Sequence, residues 1–272
     1  MPKPIPENRP FQRGKGNTVA EILKLQSVSK EYGAVKALRE VDLSVKEGET
    51  VALCGDNGAG KSTLIRLVSG AEVPTAGEVF LNGEEVHFTS PADALAKGVA
   101  TIYQDLALAP RLQVYQNVFM GAELTKRTFI PLLRILDKKA MKQAAISYLG
   151  RLNVDIKDLD VPVSALSGGQ RQAVAISRAL RWNARLVIMD EPTAALGVKE
   201  TAQVLDLIRQ LHDQGVTVLM ISHNMKDVLA VAERVVILKN GIKIGECLAT
   251  GLTSEQLATM VMTGNLGDRN LV

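Results

Sequence analysis

Residues 50–63 read TVALCGDNGAGKST, and the fold is decided there. Glycine forfeits the most backbone freedom on folding, so Gly55, Gly58 and Gly60 within one short turn need a local reason. The flanks supply it: TVALC before the turn is an apolar run of strand length, and LIRLVSG after it has helical periodicity. A glycine-rich turn from strand to helix leaves backbone N–H groups unpaired at the positive end of a helix dipole. Such a concavity binds anions, phosphate above all. The spacing Gly55-x-x-x-x-Gly60-Lys61-Ser62 is that of a phosphate-cradling loop, in which Lys61 reaches the outer phosphates and the Ser62 hydroxyl takes a magnesium position. A plain strand-to-helix turn would need neither lysine nor serine at those places.

The bulk composition narrows the class. The chain has 272 residues, 46% of them hydrophobic and 22% charged, which is ordinary for a globular protein with room for a large core. Its 32 basic residues face 29 acidic ones, and a net charge of +3 is too mild to argue for a nucleic-acid partner. Two cysteines, Cys54 and Cys247, are too few for a disulfide framework and read as packed thiols in a reducing compartment. The longest apolar runs, such as GVTVLMIS at 215–222, are strand-sized, well short of the roughly 20 residues that cross a bilayer. Residues 1–20, rich in proline and basic side chains without an apolar stretch, read as a disordered leader and not as a secretory signal.

Further along, EILKLQSVSKEYG (21–33) and EVDLSVKEGETVALC (40–54) alternate as half-buried strands do. Asn82-Gly83 and Asn240-Gly241 each stand between strand-like runs, the signature of hairpin turns that need positive φ. The opening section is therefore expected to be partly antiparallel. Buried runs ARLVIMD and VTVLMIS, separated by a helix over about 199–213, imply a parallel sheet covered by helices. Between Gln104 and Val163 strand signals stop. Met141, Ala145, Tyr148, Leu149 and Leu152 share one helical stripe capped by Asp137, and QRQAVAISRALRWN is a second amphipathic helix.

The expected fold class is α/β: a mixed-sheet phosphate-loop core flanked by helices, with an N-terminal antiparallel β subdomain and an inserted α-helical subdomain. The divisions are 21–104 and 181–250 for the nucleotide-binding core, 105–180 for the helical insert and 251–272 for a C-terminal tail.

Two further motifs carry chemistry. RLVIMDE ends an apolar strand in Asp190 and Glu191, at the strand end where open α/β sheets bind ligands. Asp190 is placed to hold magnesium, and Glu191 to polarise an attacking water. In LSGGQRQAVAISRAL (166–180), Ser167, Gly168 and Gly169 open a helix and offer a second anion-binding start.

GDNGAGKST, LSGGQ and LVIMDEPT in that order, followed by the histidine of MISHN, resemble the ATP-binding subunit of ABC transporters over roughly residues 21–250. The resemblance implies ATP and Mg²⁺ as ligands, and two subunits closing head to tail. Each ATP would then lie between the loop Gly55, Asp56, Asn57, Gly58, Ala59, Gly60, Lys61, Ser62 and Thr63 of one copy and Ser167, Gly168, Gly169 and Gln170 of the other. It assigns Tyr32 to stack on adenine, Gln104 to touch the magnesium and the attacking water, and His223 to contact the γ-phosphate. His87 and His212 match nothing and read as surface residues.

One departure stands out: after EPT the family shows Ser-Ala-Leu-Asp, whereas this chain has Ala194-Ala195-Leu196-Gly197. Lys61, Asp190, Glu191 and His223 leave hydrolysis intact, and the lost carboxylate at Gly197 puts coupling between the two sites in doubt.

The stretch 88–123 looks like the ATPases of bacterial monosaccharide importers for ribose, xylose and fructose. That implies a peripheral location on the cytoplasmic face of the bacterial inner membrane, membrane-spanning permease subunits as partners and, indirectly, a periplasmic sugar-binding protein. Leu106, Leu108, Pro110, Val114 and Tyr115 are candidates either for a groove that receives a permease helix or for core. Competing classes are an importer of another small solute, a soluble ATPase of the same family acting on DNA or ribosomes, and a phosphate-loop kinase. The soluble ATPases usually carry a coiled-coil insertion or two cassettes with a basic linker, and neither is seen. A kinase has no use for LSGGQ.

Overall fold

Strand β1 (Glu21–Tyr32) turns through Gly33 (φ +58°) into β2 (Val35–Lys46), and the two pair antiparallel along their length. The computed structural model describes residues 20–127 and 134–269; the leader expected at 1–20 lies, up to residue 19, outside the described residues. Next come β3 (Thr50–Cys54), α1 (Lys61–Val68), β4 (Ala76–Leu81), β5 (Glu84–Glu85), α2 (Pro91–Ala96) and β6 (Val99–Ile102). After Gln104 follow α3 (Val114–Val118), β7 (Thr125–Arg127), β8 (Arg134–Leu136), α4 (Lys138–Gly150) and α5 (Gly168–Arg181). The chain then returns to strand and helix in alternation: β9 (Leu186–Asp190), α6 (Val198–Asp213), β10 (Thr217–Ile221), α7 (Met225–Val231), β11 (Arg234–Lys239), β12 (Ile242–Leu248) and α8 (Ser254–Thr263).

The central sheet has the order β12-β11-β3-β10-β9-β6, parallel except for the antiparallel edge strand β12. A separate antiparallel sheet, β2-β1-β4-β5, is the N-terminal β subdomain. Both Asn-Gly pairs sit in hairpin turns with positive φ, at Asn82 (+53°) and Gly83 (+80°) and at Asn240 (+51°) and Gly241 (+79°).

Strands β3, β9, β10 and β11 read as unbroken apolar runs because both of their faces are covered. Val51, Leu53, Leu186, Ile188, Leu219 and Ile221 point into a core shared with α1 and the β subdomain. Their neighbours Ala52, Cys54, Val187, Met189, Val218 and Met220 point into a second core shared with α3 to α8. Burying each such Val, Leu or Ile is worth about 1.5–3 kcal/mol. Exposed ion pairs such as Lys36–Glu31 add about 0–1 kcal/mol, so the two cores hold the fold. Arg234, 7% exposed at its side chain, links the layers by bonding Glu49, Glu246 and the Ser44 carbonyl.

The expected helices are present, with adjustments. Asp137 caps α4 by accepting from the Ala140 N–H, and Met141, Ala145, Leu149 and Leu152 are buried. Strands do not stop between Gln104 and Val163 as the sequence suggested: β7 and β8 pair antiparallel there. Their described residues are all exposed and pair only with each other, so no alternation of burial marks them in the sequence. Val114 and Tyr115 are not open to a partner; they are 0% and 1% exposed, with Leu106 and Leu108 half-buried against the same core. His87 is at the surface, but His212 is half-buried in the last turn of α6, its Nδ1 without a hydrogen-bond partner among the described residues. The segment after residue 250 carries α8, which packs Leu257, Met260 and Val261 into the core. Cys54 and Cys247 are both buried free thiols.

Candidate nucleotide-hydrolysis site

The turn from β3 to α1 has little freedom to be built otherwise. A Cβ on Gly55 would stand 2.3 Å from the Leu238 carbonyl oxygen, and one on Gly60 would stand 2.7 Å from the Ala37 oxygen. Gly60, at φ +102°, is the residue before the first turn of α1, so the helix's free N–H groups open onto the loop. Lys61 is buried, and its Nζ donates to the Gly55 and Asp56 carbonyls at 2.6 and 2.9 Å. The ammonium is thereby parked inside the loop that an anion would fill.

A cleft of about 730 Å³ opens over this turn, a size suited to a small-molecule ligand. Asn57 to Thr63 line one wall, and Gln104, Asp190 and Glu191 line another. These residues are brought together because β3, β6, β9 and β10 run parallel and end at one edge of the sheet, where open α/β folds bind ligands. The Asp190 carboxyl is pushed above its ordinary value, first by desolvation and then by the charge of Glu191, with Lys61 and Arg66 opposing. A cation would relieve this accumulated negative charge. Ser62, Gln104 and Asp190 offer an oxygen-only donor set with one carboxylate, which suits a hard ion that keeps water and phosphate ligands.

Glu191 follows β9 with φ +50°, a left-handed conformation for a non-glycine residue. Its Oε2 lies 2.8 Å from Nδ1 of His223, which follows β10 and is mostly exposed. A carboxylate so held can orient and deprotonate a water. Cys54, next to the loop, takes no part in such chemistry: burial pushes its thiol up to about 12.

Among the expected residues, Tyr32, Gly55, Asp56 and His223 do not line the cleft, and neither do the four that start α5. Ser167, Gly168, Gly169 and Gln170 start α5 and line no part of the cleft. The Ser167 hydroxyl accepts from the Gln170 N–H at 3.3 Å, and Gly168 donates to Glu200 Oε1 at 2.8 Å. Tyr32 pairs with Val35 in the β1–β2 register, with its hydroxyl bonded to Glu72. Val35 itself lines the cleft together with Lys36, Arg39 and Asn240, none of which the sequence marked as a site residue. Asn240 was legible only as a turn residue. The contact arises because the β11–β12 turn abuts the loop, Gly241 donating to the Ala59 carbonyl at 3.0 Å.

Comparison with known proteins bears on this geometry. The family described as ABC transporter matches residues 38–194. The chain is 43% identical to a xylose/arabinose import ATP-binding protein of Sulfolobus acidocaldarius, over 93% of this chain and 98% of that one. It is 44% identical to a fructose import ATP-binding protein of Rhizobium meliloti, over 82% and 86% of the two chains. A ribose import ATP-binding protein of Yersinia pestis is 37% identical over 91% of this chain but only 47% of its own length. Among solved structures, a nucleotide-free ATP-binding cassette from an ABC transporter superposes with a TM-score of 0.76 at 26% identity, covering 91% of this chain and all of that one. A dimeric cassette in a post-hydrolysis state, bound to ADP and Pi, gives 0.68 at 27% identity, covering 85% of this chain and all of its own. The phosphate loop, the paired acids at the end of β9 and the LSGGQ start of α5 thus sit in a chain that belongs to the ATP-binding, ATP-hydrolysing subunits of ABC transporters.

Proposed function

We propose that this chain is the ATPase of a monosaccharide importer, working as a head-to-tail pair at the cytoplasmic face of the cell membrane beneath membrane-spanning permease subunits. The relatives named for import of xylose and arabinose, fructose and ribose support the sugar class. The observation that carries the two-chain reading is the separation of Ser167–Gln170 from the cleft that holds Asn57–Thr63, Gln104, Asp190 and Glu191. Two phosphate-binding helix starts in one chain, only one of them in the cleft, fit two sites completed between copies. A periplasmic binding protein would deliver the sugar, and selectivity would lie there and in the permease. Residues 105–180 would form the unit that meets the permease, and no nucleic acid enters the cycle.

In the proposed mechanism Lys61 leaves the Gly55 and Asp56 carbonyls for the β- and γ-phosphates, while Tyr32 stacks on adenine. Loop N–H groups from Gly55 to Thr63 cradle the phosphates. Ser62, Gln104 and Asp190 would hold Mg²⁺, which supplies neutralisation of phosphate charge. Glu191 orients water for in-line attack on the γ-phosphate and takes its proton. His223 steadies the Glu191 carboxylate and reaches the γ-phosphate, and Ser167–Gln170 of the second copy close over it.

Glu191→Gln tests the site: hydrolysis should be abolished while ATP-dependent dimerisation persists, and near-normal turnover would overturn the assignment. Reconstitution with the permease and with binding protein loaded by ribose, xylose or fructose in turn tests the sugar class. Stimulation of the ATPase by none of the three would overturn it.

A further inference from the structure

Glu191 occupies a backbone conformation that is disfavoured on its own, at φ +50°. Strain of that kind persists only where the surroundings over-determine it. The segment is held from three directions. Glu191 donates its N–H to the Ile221 carbonyl at 2.9 Å, from β10. The Thr193 hydroxyl donates to Asp227 Oδ2 at 2.7 Å, from α7. Between them, Nε2 of Gln172 donates to the Pro192 carbonyl at 2.8 Å, from α5.

The third contact differs in kind from the other two. Gln172 lies in the helix opened by Ser167-Gly168-Gly169-Gln170, and among the described residues no other side-chain bond joins that helix to residues 191–193. Gln172 is 6% exposed, and its Oε1 has no hydrogen-bond partner among the described residues. An orphaned buried acceptor opposes stability, so the amide is a poor choice for packing alone. Its one side-chain bond goes to the carbonyl of Pro192, the residue immediately after Glu191.

We propose that Gln172 is a positioning residue for hydrolysis, tying the LSGGQ helix to the Pro192 carbonyl next to Glu191 so that seating of that helix on the second copy's nucleotide sets this chain's own Glu191 carboxylate. This inference rests on the functional reading above. It provides a route between the two sites in a chain whose Gly197 lacks a carboxylate for the purpose.

The test is Gln172→Leu in the full chain, which keeps volume but removes the donor; Gln172→Met serves the same end should the first not fold. The expected result is a fall in kcat of about tenfold to a hundredfold, the effect of a misplaced catalytic group, with KM for ATP unchanged. In a Glu191→Gln background the same change should leave ATP-dependent dimerisation intact. Unchanged kcat overturns the proposal, as does a loss of kcat accompanied by equal losses of ATP affinity, dimerisation and melting temperature. If Glu191→Gln itself leaves turnover near normal, the functional reading fails. If Glu191→Gln abolishes turnover while Gln172→Leu does not lower it, only the positioning role falls.

Discussion

Nδ1 of His223 lies 2.8 Å from Oε2 of Glu191, so the side chains that follow β9 and β10 meet at the carboxyl ends of these neighbouring strands. The contact orients a carboxylate whose backbone is already fixed. His223→Ala removes the orienting partner and leaves the phosphate loop untouched. Steady-state kinetics should show kcat lowered by about a hundredfold, within the range for groups that assist proton transfer, with KM for ATP little changed. A variant that turned over at the parent rate would remove His223 from the mechanism.

Asp190 supplies a pH dependence whose sign is fixed by its cause. Desolvation and the charge of Glu191 raise its carboxyl above the ordinary value, so the folded protein binds the proton more tightly than the unfolded chain does. The ionised group therefore opposes folding. That penalty is absent below the unfolded value, grows as pH rises towards the folded value and is fully present above it. Asp190→Asn should raise the melting temperature of nucleotide-free protein at neutral pH, with the gain vanishing in acid, and should abolish Mg²⁺-dependent hydrolysis. Melting curves across pH with and without MgATP measure both.

Two glycines of one loop should behave differently. Gly55→Ala forces a Cβ to within 2.3 Å of the Leu238 carbonyl oxygen, a backbone atom that cannot swing away. Overpacking of this severity should destabilise by about 3 kcal/mol or more. Gly58→Ala meets open space, and its penalty is the positive φ of +79°, about 1–2 kcal/mol. Urea denaturation should rank the two variants in that order.

How much of this was legible in the sequence follows from which interactions are local. The loop, the Asn-Gly hairpins and the Asp137 cap are set by neighbours in the chain, and each appears where its residues predicted it. Strands buried on both faces, such as Val51–Cys54, left continuous apolar runs. Gln172 and Glu200 gave no sign, because their partners, Pro192 and Gly168, are 20 and 32 residues away. Val114 and Tyr115 show the same limit: an apolar run tells that surface must be covered, and only tertiary packing tells that α4 and α5 cover it. The positive φ of Glu191 has no sequence marker, since glutamate is not a residue that favours it.

Gly197 offers the sharpest test of communication between the sites. It caps the start of α6, and Glu200 reaches back to accept from both Gly197 N–H (3.3 Å) and Gly168 N–H (2.8 Å), joining the starts of α6 and α5. A Cβ at Gly197 would meet only Glu200 Oε2, at 4.0 Å, so Gly197→Asp has room. An aspartate there gains a few tenths of a kcal/mol as a helix cap, and a second carboxylate beside half-buried Glu200 costs about 1 kcal/mol. The opposing effects leave stability nearly unchanged, so an altered ATPase reports on coupling and not on folding. The parent, lacking the carboxylate, should hydrolyse ATP with a Hill coefficient of about 1, and Gly197→Asp should raise it, because a restored acceptor lets each site respond to the other. Identical Hill coefficients in the two proteins would show that position 197 carries no coupling in this chain.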